Sequence, residues 1–154
     1  MQFYLEFKNL NNKKKEIAKA LFNIWQKSYI IEKEIIGASI FPPLDRSEND
    51  FLKSKNNFYG IYDSKELAGV VEVDSQADST HIQSLVVSPK HFRKGIATSL
   101  VKNIFELYSG SIFTVETGND NKPAKKLYES LGFKKNKIWM TKFGVKKIRY
   151  LKSI

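Results

Sequence analysis

Residues Val87-Ser88-Pro89-Lys90-His91-Phe92-Arg93-Lys94-Gly95-Ile96-Ala97 carry a strand end through a basic turn into a helix. Small residues at Gly95 and Ala97 let a ligand approach the backbone closely. The first turn of the following helix leaves amide N–H groups unpaired at its positive dipole end. Arg93 and Lys94 bring cationic side chains to the same spot. The chemistry of such a turn is phosphate binding, spread over Phe92, Arg93, Lys94, Gly95, Ile96, Ala97 and Thr98. A second segment, Asn121-Lys122-Pro123-Ala124-Lys125-Lys126-Leu127-Tyr128-Glu129-Ser130-Leu131-Gly132-Phe133, follows one helix and one strand later. Asn121 is placed to cap that helix, and Pro123 suits its first turn. Tyr128 offers a phenol that keeps its proton at neutral pH, its ordinary pKa being about 10.

These groups need a frame, and the apolar spacing predicts one. Residues 2–8 alternate as a strand. Asn12 opens a helix with Ile17, Ala20, Leu21, Ile24 and Trp25 on one face. Past Ser28 the pattern decays through Ile35-Ile36-Gly37 to Phe41-Pro42-Pro43-Leu44, where paired prolines exclude a helix interior. Ser47 starts a short second helix over Glu48-Asn49-Asp50. Residues 58–62 and 66–73 read as strands joined at Asp63-Ser64, and residues 81–87 as a third, running straight into the phosphate turn. Ala97, Leu100, Val101, Ile104, Phe105 and Tyr108 form a helical stripe closed by Gly110. A strand at 111–117, a helix at 121–131, and strands at 133–140 and 145–151 around Gly144 complete an α/β order. No repeat or linker interrupts it, so residues 1–154 read as one domain.

Composition narrows the function classes. With 42% hydrophobic and 13% aromatic residues in 154, the chain can bury a core. The absence of cysteine excludes disulfides, thiolate metal sites and a Cys nucleophile, and it suits the cytoplasm. No apolar run approaches the ~18 residues of a membrane span, and MQFYLEFKNL lacks a signal-peptide core. Two histidines, His81 and His91, argue against a protein-ligated catalytic metal. The net charge of +10 comes from 26 Lys and Arg against 16 Asp and Glu. Its basic clusters, at 13–15, 122–126, 134–137 and 146–149, are dispersed and lack interleaved aromatics. That pattern argues against nucleic acid and for a lysine-rich surface around a site for an anionic ligand.

Together the two segments resemble the GNAT superfamily of acyl-CoA-dependent N-acetyltransferases, over residues 57–140. The family's first pattern has Gln or Arg, two residues, Gly, one residue, and Gly or Ala. Gly95 and Ala97 match it, while Phe92 stands where Gln or Arg is usual. The second pattern is matched by Asn121, Ala124, Tyr128, Gly132 and Phe133. The resemblance implies a mixed, strongly twisted sheet whose two middle strands splay to admit the pantetheine arm of acetyl-CoA, the co-substrate. It implies a primary amine, on a small molecule or a peptide N-terminus, as acceptor, and a monomer or homodimer.

Acyl transfer from a thioester to an amine needs a held thioester, a deprotonated amine and a proton for the departing sulfur. The resemblance suggests that the strand residues Leu85, Val86 and Val87 bind pantetheine, with free backbone groups at Leu85 and Val87 acting as a sheet edge would. It suggests Tyr128 as general acid, with Asn121 touching the pantetheine or the substrate. Glu116 lies five residues before Asn121 and twelve before Tyr128, a spacing at which ribosomal-protein N-terminal acetyltransferases of this superfamily carry a catalytic glutamate. Gln83 falls where relatives carry an acid; its amide orients water without taking a proton. The acceptor wall is expected from residues 25–45, with Trp25, Tyr29 and Phe41 as its substrate contacts and Glu32, Glu34 and Leu44 beside them. Glu72, Asp74 and His91 are weaker candidates. Other classes consistent with the chain are an acyl-CoA sensor without turnover and a basic interaction module.

Overall fold

The computed structural model describes residues 5–153. Their strands are β1 (Leu5–Leu10), β2 (Asn57–Asp63), β3 (Glu66–Ser75), β4 (Ser79–Val87), β5 (Ile112–Gly118), β6 (Lys134–Met140) and β7 (Lys146–Lys152). They form one sheet in the order β1-β2-β3-β4-β5-β7-β6. The helices are α1 (Lys15–Ile36), α2 (Glu48–Lys53), α3 (Ile96–Leu107) and α4 (Lys122–Ser130). The mixed α/β architecture expected from the sequence is the one observed. The first strand begins within the predicted range, whose residues 2–4 lie outside the described ones.

Each face of the sheet carries its own core. On one side Leu21 and Trp25 of α1 pack with Phe51, Phe58 and Val70. On the other, Leu100 and Ile104 of α3 pack with Val71, Ile82, Phe113, Ile148 and Tyr150. The alternation of inward residues along β3 and β4 divides them between these two layers, Val70 and Val86 on one side and Val71 and Ile82 on the other.

Helix α1 is longer than its apolar pattern predicts. It continues past Ser28 to Ile36 and ends at Gly37, whose φ of 67° accommodates the left-handed cap. Tyr29, Glu32 and Ile36 extend the face begun by Trp25 and border a cleft, Tyr29 at the margin of the core, so the stripe turns partly polar. Asn12 does not cap this helix; Lys14 stands at the cap position. The Asn12 amide instead donates to Phe51 O and Ser54 O, at 2.7 and 3.0 Å, and fastens the start of α1 to the end of α2. Ser47 and Asp50 cap α2 reciprocally, as Ser47 Oγ accepts from Asp50 N and Asp50 Oδ2 from Ser47 N. The prolines at 42 and 43 open a single 3-10 turn, Pro42–Asp45.

The centre of the sheet is where function enters. β4 and β5 run parallel and pair only from Ser79 to Ile82 against Ile112 to Val115. Beyond that point β4 stays with β3 and β5 stays with β7, so the two strands part. A bulge sharpens the divergence: Glu72 faces Ser84 and Val73 faces Ile82, which leaves Gln83 as the extra residue.

Candidate active site

The parting strands open a cleft of about 790 Å³. Its walls come from α1 (Trp25, Tyr29, Glu32, Ile36), the Phe41–Arg46 segment, β4 (Ile82 to Leu85), β5 (Val115 to Gly118), Tyr128 of α4, and the β6–β7 hairpin. Of the residues expected from sequence, Tyr128, Glu116, Tyr29, Phe41, Gln83, Leu85 and Trp25 all border this one space. They come from parts of the chain up to 103 positions apart, between Trp25 and Tyr128.

On β4, Ser88 N donates to Ala68 O at 2.8 Å, and Val86 O lies 3.2 Å from where a Cβ on Gly69 would stand. Residues 86 and 88 thus direct their backbone polar groups at β3. By alternation Leu85 and Val87 direct theirs into the opening. The Val86 side chain is buried in the α1-side core.

The turn that follows is the one whose sequence points to an anion. Gly95 is the N-cap of α3 with φ 74° and no side-chain cap, and a Cβ there would meet nothing within 4 Å. No side chain caps the leading amides of α3. Arg93 also takes a left-handed φ, 65°, a strained choice for a residue with a side chain. Phe92 is 43% exposed, whereas Ile96 is buried against Gly69 and contributes only backbone. Ala97 and Thr98 are half-buried in the first helical turn. None of residues 92–98 lines the cleft itself; they lie beyond its β4 end.

Asn121 caps α4, its Oδ1 accepting from Ala124 N at 3.2 Å, and its Nδ2 donates to Glu32 Oε1 at 2.8 Å. Tyr128 is buried, edge-on to Phe133 at 5.7 Å and tilted on Tyr150 at 6.0 Å. Burial first, and the Glu32 charge second, push its pKa well above the ordinary phenol value. Burial likewise raises Tyr29, whose ring tilts on Phe41 at 5.6 Å. Burial raises the Glu32 carboxyl, opposed by Lys147 and the Asn121 bond. Glu116 is half-buried on β5 opposite Arg149 of β7. Next to it, His81 Nδ1 lies 2.7 Å from Thr114 Oγ1, and burial lowers the imidazole pKa, opposed by the Glu116 charge.

Sequence reasoning gave Glu32 only a place in the wall and passed over Arg46, Asn56 and Lys147. Arg46 closes two bonds, 2.7 and 2.9 Å, on fully buried Glu72, and Asn56 adds a third at 2.9 Å. The guanidinium also lies 4.2 Å from the Phe51 ring centroid. Glu72 is therefore a brace between the Arg46 segment and β3. Trp25, 1% exposed, packs edge-on to Phe51 at 4.9 Å and gives the cleft little more than an edge. Glu34 is exposed and outside the lining, and Asp74 accepts from Gln76. His91 is buried with Nε2 3.2 Å from Asp63 Oδ2, facing the β2–β3 turn. The spacing Trp25, Tyr29, Glu32, Ile36 was the available signal for Glu32; it needed the helix to be carried past Ser28.

A splayed parallel pair above an uncapped, glycine-led helix is the frame of acetyltransferases. Residues 18–133 match the acetyltransferase (GNAT) family, and the chain belongs to it. It is 32% identical over 127 residues to the UPF0157 protein YqkA of Bacillus subtilis, covering 82% of this chain and 37% of that one. It is 35% identical over 83 residues to the uncharacterized N-acetyltransferase YsnE of the same organism, covering 49% of this chain and 54% of that one. The chain thus spans about a third to a half of the length of these relatives. Among solved structures, its fold is similar to the ribosomal-protein-S18-alanine N-acetyltransferase of Escherichia coli, with TM-score 0.76, 20% identity, and 98% of this chain and 94% of that one covered. It is also similar to the PaiA N-acetyltransferase of Thermoplasma acidophilum in complex with coenzyme A, with TM-score 0.75, 16% identity, and 98% and 99% covered. No helix among the described residues is long and apolar enough to cross a membrane.

Proposed function

We propose that the protein is an acetyl-CoA-dependent N-acetyltransferase that acts on a primary amine, either a peptide α-amino group or a small monoamine, in a ternary complex. The observation that carries this reading is the parting of β4 and β5 beyond Ile82 and Val115, with Tyr128 and Glu116 on the walls of the opening.

The chain's own groups fit acetyl-CoA. Leu85 and Val87 offer unpaired backbone to pantetheine amides, and the amides of residues 93–98 offer donors to a pyrophosphate. Thr117 Oγ1, in the cleft wall, is buried with no protein partner, a donor and acceptor left for a ligand. When bound, acetyl-CoA supplies an acetyl group activated as a thioester. Glu116, directly or through water, takes the proton of the acceptor nitrogen as the N–C bond forms. Tyr128 gives its proton to the sulfur as the C–S bond breaks. The chain has no cysteine to carry the acetyl group, which favours direct transfer. We place the enzyme in the cytoplasm, as a monomer or homodimer.

A thiol-release screen with acetyl-CoA over amino acids, peptides, monoamines, polyamines and aminoglycosides tests the reading. Turnover with α-amino or monoamine acceptors is expected. Thermal stabilisation by acetyl-CoA without thiol release would make the protein an acyl-CoA sensor, and turnover confined to polyamines or aminoglycosides would overturn the acceptor class.

A further inference from the structure

We propose that Glu32 receives the acceptor as an ammonium ion, which makes cationic primary amines the substrate class of the cleft and Glu32 the residue that selects them. The inference rests on the acetyl-transfer reading and concerns the side of the cleft that faces α1.

Successive turns of α1 touch both of the strands that part. Tyr29 lies in the cleft wall with Ser84 of β4, and Ile36 covers Gly118 at the end of β5. Glu32 lies three residues from one and four from the other on the same helix face, so its carboxylate hangs over the opening between them. Asn121 fixes it there, since one amide caps α4 and holds Glu32 Oε1 at 2.8 Å. The groups around the carboxylate are Tyr29 from α1, Tyr128 and Asn121 from α4, and Lys147 from β7.

Two observations make this carboxylate a receptor for a cation. Its burial is only partly offset by Lys147 and Asn121, so an incoming positive charge relieves it further. The wall as a whole is acidic: Glu32, Asp45, Asp50, Glu72 and Glu116 stand against Arg46, Lys142 and Lys147. Arg46 and Glu72 are closed on each other, which leaves Glu32, Asp45, Asp50 and Glu116 against Lys142 and Lys147. In a chain of net charge +10, the cleft runs against the sign of the molecule, which draws a cation to that one place.

A purely structural Glu32 would do no more than accept the Asn121 bond. Glu32→Gln keeps that acceptor and removes the charge, so it separates the two roles. The kinetic probes are benzylamine, an ammonium ion at neutral pH, and p-anisidine, a neutral arylamine, each with saturating acetyl-CoA. Glu32→Gln should raise the benzylamine KM by about tenfold or more, leave the acetyl-CoA KM within about twofold, and leave the p-anisidine KM within about twofold. Equal changes for both amines, or none, would overturn the proposal. A readout without turnover accompanies it: the carboxyl-13C resonance of Glu32, assigned by its loss in Glu32→Gln. Millimolar benzylammonium should move its titration midpoint to lower pH, and benzyl alcohol, its uncharged analogue at every pH, should not. A midpoint indifferent to benzylammonium sinks the proposal whether or not any amine is acetylated. A midpoint that responds in a protein that acetylates none of these amines counts against the acetyl-transfer reading alone.

Discussion

Ile36 lies so close over Gly118 that a β-carbon on the glycine would stand 2.6 Å from Ile36 Cγ2 and 3.4 Å from its Cβ. The last turn of α1 thereby rests directly on the backbone at the end of β5. That contact sets the height of the helix above the opening and, one turn earlier, the position of Glu32. Gly118 is there for closeness, because its φ is not left-handed.

Gly118→Ala should consequently destabilise the fold by about 1–3 kcal/mol, the cost of overpacking against a β-branched side chain. Shortening the opposing residue should return much of it. In chemical denaturation, Gly118→Ala combined with Ile36→Ala is expected to show a favourable coupling of at least about 0.5 kcal/mol relative to the sum of the single changes. Strict additivity would mean that the helix does not rest on this glycine.

A different glycine tests the anion turn. A β-carbon at Gly95 meets no protein atom within 4 Å, but Gly95→Val must hold φ 74° and adds its branches beside the start of α3. Gly110→Val is its matched control, with φ 89° and equally open surroundings at the other end of the same helix. Both should lose stability by about 1 kcal/mol or more from backbone strain. Only Gly95→Val should weaken acetyl-CoA binding in calorimetry, by about tenfold or more. Equal affinities for the two variants would remove the pyrophosphate from this turn.

Much of this arrangement was legible in the sequence, because the informative residues are local. The turn at Gly95 and the Asn121–Phe133 helix announce themselves by spacing, and every predicted strand and helix has its counterpart, the C-terminal end of α1 being the one boundary far from its expected place. What escaped prediction depends on partners distant in the chain. The second half of α1 reads as a decaying pattern because Tyr29 and Glu32 face a cleft, so no apolar period marks them. Asn12 looks like a cap until α2, 39 positions away, offers it the Phe51 carbonyl. Glu72 looks like a strand-end acid until Arg46 reaches it from across the cleft. The bulge at Gln83 is a fault of register between two strands, and no single strand's sequence displays it.

Tyr128→Phe keeps the ring contacts with Phe133 and Tyr150 and removes only the hydroxyl, so the melting temperature should barely move. Turnover should fall toward the lower part of the ~10²–10⁴ range for a general acid, because a thiol with pKa near ~8.5 is already a fair leaving group. Burial and the neighbouring Glu32 both favour the neutral phenol. A raised pKa means the proton is retained to higher pH, so wild-type kcat should show no alkaline loss assignable to Tyr128 within the ordinary phenol range. Full turnover by Tyr128→Phe with a good acceptor would end the assignment.

Glu116 is separated from a passive strand residue by how its loss depends on pH. A base matters only while the acceptor nitrogen carries a proton to be removed. For an α-amino group with pKa near ~8, about one molecule in ten is neutral at pH 7; for an alkylamine near ~10.4, fewer than about one in a thousand. Glu116→Gln keeps the size and the hydrogen bonding of the side chain and removes its basicity. Its rate should fall most below the pKa of the amine and recover as pH rises, because free amine then takes over the work of the missing carboxylate. The deficit should also be deeper for the alkylamine than for the α-amino acceptor at the same pH. The wild-type and variant kcat/KM profiles should therefore converge at alkaline pH. Profiles that stay parallel across the range would show that Glu116 takes no proton and would leave that step to ordered water.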